Sequence, residues 1–127
     1  MAIRVLDTSV AVDHLRGHEP ATRLLDELLD AQVSLVGSEL VRFELLAGVR
    51  AADEPAVERF MGAVDWVPVT EPVSRQAGTY ARAYRARHSG IDDVDYLIAA
   101  TATVLGATLL TTNLRHFPMF PALVPPY

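Results

Sequence analysis

Short runs of apolar and β-branched residues recur along the chain and alternate with segments of helical periodicity. The runs are IRVL (Ile3 to Leu6), VSLV (Val33 to Val36), WVPV (Trp66 to Val69) and TLLT (Thr108 to Thr111). This alternation predicts an α/β fold, a three-layer α/β/α domain in which helices cover both faces of a central, mostly parallel sheet. Because proline cannot donate a hydrogen bond to a neighbouring strand, Pro68 places the third run toward an edge of the sheet.

Proline and serine mark the predicted helix starts. Pro20, Pro55 and Pro72 each stand where a first-turn proline fits, and Ser38 is a candidate N-cap for the segment ELVRFELLAGV. The chain has 127 residues, a length typical of one domain, and no repeat or linker divides its sequence. We therefore expect a single domain over residues 1–127.

Composition narrows the possible functions. Eleven basic residues, all arginine, stand against sixteen acidic ones, so the net charge is −5 and any contact with nucleic acid must be local. The lack of lysine excludes a P-loop, and the lack of cysteine excludes thiol nucleophiles and cysteine-bound zinc.

The distribution of apolar residues bears on location and assembly. No apolar run reaches the roughly 20 residues of a membrane helix, and the N-terminus has no recognisable signal peptide. We therefore expect a cytoplasmic protein that does not bind a membrane. A hydrophobic fraction of 50% also predicts a surface that is covered by a partner or by a second copy of the chain.

Three acidic residues stand where a carboxylate is unexpected. Asp7 ends the first apolar run, where it is either the N-cap of the next helix or a functional group at the carboxyl end of a strand. Glu44 has apolar or small neighbours at helical spacing, which places it on a buried stripe. A carboxylate there is explained by an arginine partner, by a position that is only half-buried, or by a bound cation. Asp95 lies in GIDDVDYLIAATATVLG, where Asp92 could be the N-cap and Asp95 the third helical residue.

Together, carboxylates on separate elements form the donor set that Mg²⁺ or Mn²⁺ requires. Mg²⁺ takes oxygen ligands and keeps several waters, so a few carboxylates suffice while a substrate phosphate supplies the rest. A bound ion lowers the pKa of water and neutralises charge on a phosphodiester. Asp7, Glu44 and Asp95 therefore indicate metal-assisted phosphodiester hydrolysis.

The segments VLDTSV, SELVRFELLAGV, DYLIAATA and LLTTNLRHF, in this order, resemble the four acidic-site motifs of PIN-domain ribonucleases. The resemblance is closest to the VapC-type toxins of toxin–antitoxin pairs and extends from about Val5 to Phe117. It implies a PIN-like domain in which Asp7, Glu44 and Asp95 bind the metal and carry catalysis.

Around these acids the resemblance implies supporting residues. The hydroxyls of Thr8 and Ser9 would orient the first aspartate or a bound water. Members of the family often have another aspartate in the fourth motif, where this chain has Asn113. Its amide oxygen can ligate a metal or hold a water but brings no charge, and a simple turn residue is the alternative interpretation. Asp92 or Asp93 could supply the missing charge.

Basic residues complete the candidate site. His116 could reach the scissile phosphate or merely flank a turn. Arg75, Arg82 and Arg85 recur at helical spacing and could contact an RNA backbone, although the solvated face of an amphipathic helix gives the same pattern.

The resemblance implies an Mg²⁺- or Mn²⁺-dependent endoribonuclease toxin that hydrolyses phosphodiester bonds in tRNA or other structured RNA. It further implies a homodimer that a cognate VapB-type antitoxin inhibits. The alternatives are a PIN-like nuclease that acts on DNA or in ribosomal RNA processing, and a non-catalytic α/β interaction module whose acids only cap helices.

Overall fold

A computed structural model describes residues 2–127, which form four strands and six α-helices. The strands are β1 (Ile3–Leu6), β2 (Ser34–Ser38), β3 (Asp65–Val67) and β4 (Thr108–Leu110). The helices are α1 (Thr8–Leu15), α2 (Glu19–Asp30), α3 (Glu39–Gly48), α4 (Glu54–Gly62), α5 (Glu71–Tyr84) and α6 (Asp93–Leu105). Over the described range, no helix is both long and apolar enough to cross a membrane.

The sheet is parallel throughout, with strand order β3-β2-β1-β4, which confirms the predicted fold class. The chain crosses from β1 to β3 in one direction and returns from β3 to β4 in the other. Because parallel crossovers are right-handed, α1 to α4 cover one face of the sheet, and α5 and α6 cover the other. The strand order therefore reverses at β1, and open α/β sheets carry their ligands at the carboxyl end of such a strand.

The predicted starts of the helices and the predicted edge strand are confirmed. Pro20, Pro55 and Pro72 stand at the first or second positions of α2, α4 and α5. The Ser38 hydroxyl accepts a hydrogen bond from the backbone amide two residues later, as an N-cap does. β3 is an edge strand and ends immediately before Pro68.

The main core surrounds β1. Val5 and Leu6 are buried in one cluster with Val10 of α1 and with Ile98 and Ala99 of α6. This packing holds the first turns of α1 and α6 beside the carboxyl end of β1, where the sequence places the candidate acids.

Gly37 of β2 makes room for the aromatic ring of Trp66 on the neighbouring strand. A Cβ at Gly37 would come within 2.5 Å of that ring, which is held by a 2.9 Å hydrogen bond from its Nε1 to the Met61 carbonyl.

We expect Gly37→Ala to lower the free energy of unfolding by about 1–3 kcal/mol, because the added methyl group overpacks the space beside the ring. Urea denaturation followed by fluorescence measures this change. The control is Gly62→Ala, because a Cβ there meets nothing within 4 Å. Equal stability of the two variants would contradict this packing.

Candidate active site

An open cleft of about 400 Å³ lies at the carboxyl ends of β1 and β4. Its walls come from α1, α3, the first turn of α6 and the segment after β4. Among the residues predicted from the sequence, the cleft is lined by Asp7, Thr8, Ser9, Glu44, Asp92, Asp95, Asn113 and His116. The fold thus brings the three candidate carboxylates, from separate elements, into one cleft, and it also places Asn113 on the same rim as Asp7.

Asp7 stands at the N-cap position of α1, but its side chain caps no helix. The residue is only 4% exposed, and its Oδ2 accepts hydrogen bonds from Oγ of Ser9 (2.8 Å) and Oγ1 of Thr111 (2.7 Å). Because both hydroxyls donate to the same oxygen, they fix the orientation of the carboxylate. The capping interpretation of Asp7 is therefore wrong, and Ser9 has the orienting contact that the resemblance implies.

Thr111 is a site residue that the sequence analysis missed. It is fully buried just after β4, and its hydroxyl also accepts a hydrogen bond from the backbone N–H of Asn113 (3.0 Å). Nearby, the Thr112 amide donates to Oγ of Ser9 (3.1 Å). These bonds tie the first turn of α1 to the segment after β4. A threonine directly after an apolar strand, at the same end of the sheet as the acids, is the signal that could have found it.

Glu44 is half-buried and does not lie on a buried stripe, because Ala47 and Gly48 beside it on α3 are exposed. Its Oε1 accepts a hydrogen bond from Oγ1 of Thr8 (2.7 Å). Within residues 2–127, no arginine lies within ion-pair distance of Glu44. Thr8 therefore orients Glu44 rather than Asp7, which corrects the part of its implied role that concerned the first aspartate.

Asp92 and Asp95 form the predicted cap of α6. Oδ1 of Asp92 accepts from the Asp95 amide (3.0 Å), and Oδ2 of Asp95 accepts from the Asp92 amide (3.2 Å). The same Oδ2 lies 3.3 Å from Nδ1 of His116. Burial, followed by the negative charges of Asp92 and Asp7, raises the pKa of Asp95 to about 6, against the opposing effects of the amide and the histidine. Asp95 therefore caps a helix and belongs to the acidic cleft at the same time.

Asp93, the two arginines of α5 and Arg85 just after its end lie outside the cleft. Asp93 forms an exposed ion pair with Arg85, while Arg75 and Arg82 contact side chains of their own helix. Of the two aspartates that could supply a fourth charge, only Asp92 lines the cleft. All three arginines are exposed, an arrangement that both the solvated face of an amphipathic helix and a contact with an RNA backbone allow.

Within the described part of the chain, no three His, Asp or Glu side chains converge in a metal-ligating arrangement. The carboxylates of Asp7 and Glu44 are turned toward hydroxyl donors, and that of Asp95 toward an amide and an imidazole. The donor set nevertheless suits a hard divalent ion, because it consists of oxygen atoms and because Mg²⁺ keeps several waters. A divalent ion held partly through water fits these residues.

Comparison with known proteins agrees with the fold and the cleft. Residues 4–119 match the PIN domain family. The chain is 59% identical to ribonuclease VapC19 of Mycobacterium tuberculosis, over 98% of this chain and 100% of that one. It is 40% identical to ribonuclease VapC10 of the same organism, over 97% of this chain and 92% of that one. A chain in the crystal structure of VapBC2 from Rickettsia felis, bound to a DNA fragment from its promoter, superposes with a TM-score of 0.82 at 22% identity, covering 97% of this chain and 96% of that one.

A parallel α/β sheet that carries carboxylates where the strand order reverses has a ligand site at the carboxyl ends of its strands, with oxygen donors of the kind a divalent metal takes. The chain belongs to the PIN-domain family and, within it, to the VapC ribonucleases. This confirms the resemblance that the four motifs indicate. PIN-domain ribonucleases generally depend on a divalent metal.

The raised pKa of Asp95 predicts how the metal-free protein responds to pH. An unfolded aspartate titrates near 3.8 and this one titrates at about 6 in the fold, so the folded state binds more protons between these values. Stability therefore falls as the pH rises through this window, and above it the charged carboxylate destabilises the fold. Replacing Asp95 with asparagine removes the charge and keeps a side-chain oxygen that can accept from the backbone N–H of Asp92.

We expect Asp95→Asn to raise the free energy of unfolding in EDTA by about 1–2 kcal/mol near pH 7.5 and to change it little near pH 4. Thermal melts at both pH values measure this difference. Asp93→Asn is the matched control, since that carboxylate is exposed, and it should bring no such gain near pH 7.5. A destabilised Asp95→Asn variant near pH 7.5 would mean that the charge supports the fold.

Proposed function

We propose that this chain is a divalent-metal-dependent endoribonuclease that acts in the cytoplasm as the toxin of a toxin–antitoxin pair. The acidic cleft carries the proposal, because Asp7, Glu44 and Asp95 from three separate elements line it together. The similarity to two proteins named as ribonucleases supports RNA as the substrate. As the target we propose tRNA or another structured RNA.

Asp7, Glu44 and Asp95 would hold Mg²⁺ or Mn²⁺, with Asn113 as a neutral oxygen donor on the same rim. When bound, the ion would supply a water of lowered pKa and neutralise charge on the scissile phosphodiester. The hydroxyl donors occupy only Oδ2 of Asp7 and Oε1 of Glu44, so the other oxygen of each carboxylate would be left for the ion or for its water ligands. His116 lies beside Asp95 on the cleft wall, within reach of a phosphate bound there.

A non-catalytic module whose acids only cap helices explains the site less well. Capping accounts for Asp92 and for part of the role of Asp95. It does not account for Asp7, a buried carboxylate that caps nothing and receives two hydroxyl donors. Burying a charged side chain costs free energy. Side chains buried at this cost are found most often at functional sites.

An antitoxin fits the groove between α1 and α3. This groove adjoins the acidic cleft, and the two share Val12, Arg16 and Glu44. Its floor includes the apolar side chains of Leu15, Leu45, Val49 and Val57. An amphipathic helix of a VapB-type antitoxin could lie there and direct an arginine at the carboxylates, where its guanidinium would pair with them and compete with the metal.

The outer side of α3 supports a second protein contact. Phe43 is 66% exposed and Leu46 is 45% exposed, and they are three residues apart on one helix. Large apolar side chains grouped on a surface in this way indicate a contact with another protein, because the contact removes their apolar area from water. We infer that a second copy of the chain covers them in a homodimer.

We expect Asp7→Asn, Glu44→Gln and Asp95→Asn each to lower cleavage of bulk tRNA in Mn²⁺ by about 100-fold or more, since each removes a charged ligand. Glu71→Gln, which changes an exposed glutamate on α5, should cleave like the wild type. Denaturing gels follow cleavage, and calorimetry should show a stoichiometric Mn²⁺ site in the wild type alone. Cleavage that persists in EDTA or in all three variants would contradict the metal site, and equal cleavage of single-stranded DNA would favour the DNA alternative.

We expect the chain to arrest bacterial growth when it is produced alone and to be harmless when it is produced with the protein encoded next to its gene. The reason is that an open cleft of this kind has no cover of its own within residues 2–127. Asp7→Asn, produced at the same level, is the control for toxicity. If the wild type alone were as harmless as this variant and left cellular RNA intact, the toxin assignment would be wrong.

A further inference from the structure

The wall of the acidic cleft contains one arginine, Arg16, at the carboxyl end of α1. It is exposed, and within residues 2–127 its side chain forms no ion pair or hydrogen bond. Five other arginines are paired with an acid close by: Arg23, Arg42, Arg50, Arg75 and Arg85. Arg16 therefore stands among the carboxylates of the cleft without an acidic side chain paired to it.

Arg16 also marks the point where the acidic cleft opens into the groove between α1 and α3. Ser9, Val12 and Arg16 follow one another at helical spacing, so one face of α1 runs from the Asp7 carboxylate to the mouth of the groove. Seven residues of helix place Arg16 about 10 Å beyond Ser9, which donates to Asp7. A strand whose scissile phosphate lies at the acids would pass Arg16 with a neighbouring phosphate.

The other rim of the groove carries a second arginine that could contact an RNA phosphate. Arg50 lies there with 87% of its side chain exposed, and its partner Asp53 is half exposed at 3.2 Å. Exposed pairs of this kind contribute at most about 1 kcal/mol, so a phosphate could take the place of the carboxylate. The groove thus combines an apolar floor with arginines on both rims.

We infer that Arg16 binds the phosphate next to the scissile one and directs the RNA strand from the acidic cleft into the groove between α1 and α3. The inference rests on the proposed ribonuclease function. A chain with a net charge of −5 and a carboxylate-lined site needs a local cation to hold a polyanion. The guanidinium is suited to this, because its donors pair with two phosphate oxygens at once. The same groove would then hold either the RNA strand or the antitoxin.

The test is the steady-state cleavage of bulk tRNA in Mn²⁺ at several KCl concentrations. We expect Arg16→Gln to raise KM about tenfold with kcat little changed, since a contact to a non-reacting phosphate contributes to binding in both ground and transition states. The slope of log(kcat/KM) against log[KCl] should become shallower by about 0.7, the value for one phosphate contact to a single strand. Arg16→Lys should keep the wild-type slope.

The matched control is Arg23→Gln, which removes the same charge from the exposed face of α2 and should leave KM and the slope unchanged. Melting temperatures of both variants should equal that of the wild type, because both side chains are exposed. An unchanged KM and slope for Arg16→Gln, or a fall in kcat alone, would overturn this inference while leaving the ribonuclease proposal intact. A wild type that cleaves no RNA would instead overturn the ribonuclease proposal.

Discussion

The buried carboxylate of Asp7 is the group on which the rest of the site depends. A charge in this position is tolerated only when fixed donors replace the lost water, and Ser9 and Thr111 provide them. One donor comes from α1 and the other from the segment after β4, so both helix and strand must be in place. The register of β1 against β4 brings this about, with Leu6 opposite Leu110 and a 2.9 Å bond from the Asp7 amide to the Leu110 carbonyl.

The charged form of Asp95 is unfavourable in the folded protein. Burial is the main cause of its raised pKa, and the negative charges of Asp92 and Asp7 add to it. Proteins keep such local conflicts at functional sites and offset them by packing elsewhere, here in the buried cluster around β1. Any cation that enters the cleft relieves the repulsion, whether it is a metal ion or an arginine.

Local structural roles and site roles overlap in this domain. Asp95 closes the capping box of α6 and faces the cleft, so its contribution to the helix is not separable from its place among the acids. Thr8 begins α1 and also holds Glu44 of α3. Helix starts are well suited to this double use, because their first turns lie at the end of the sheet where the strands stop.

The sequence by itself predicted the succession of strands and helices along the chain, the parallel sheet with its edge strand, and Asp7, Glu44 and Asp95 as candidate acids, because periodicity, capping residues and motifs can be read along the chain. Only the tertiary structure decided that Thr8 donates to Glu44, that the buried Thr111 orients Asp7, and that Arg16 lines the cleft while Asp93 does not. These outcomes depend on how helices are rotated against one another and on contacts between residues up to 104 positions apart, which no local pattern encodes.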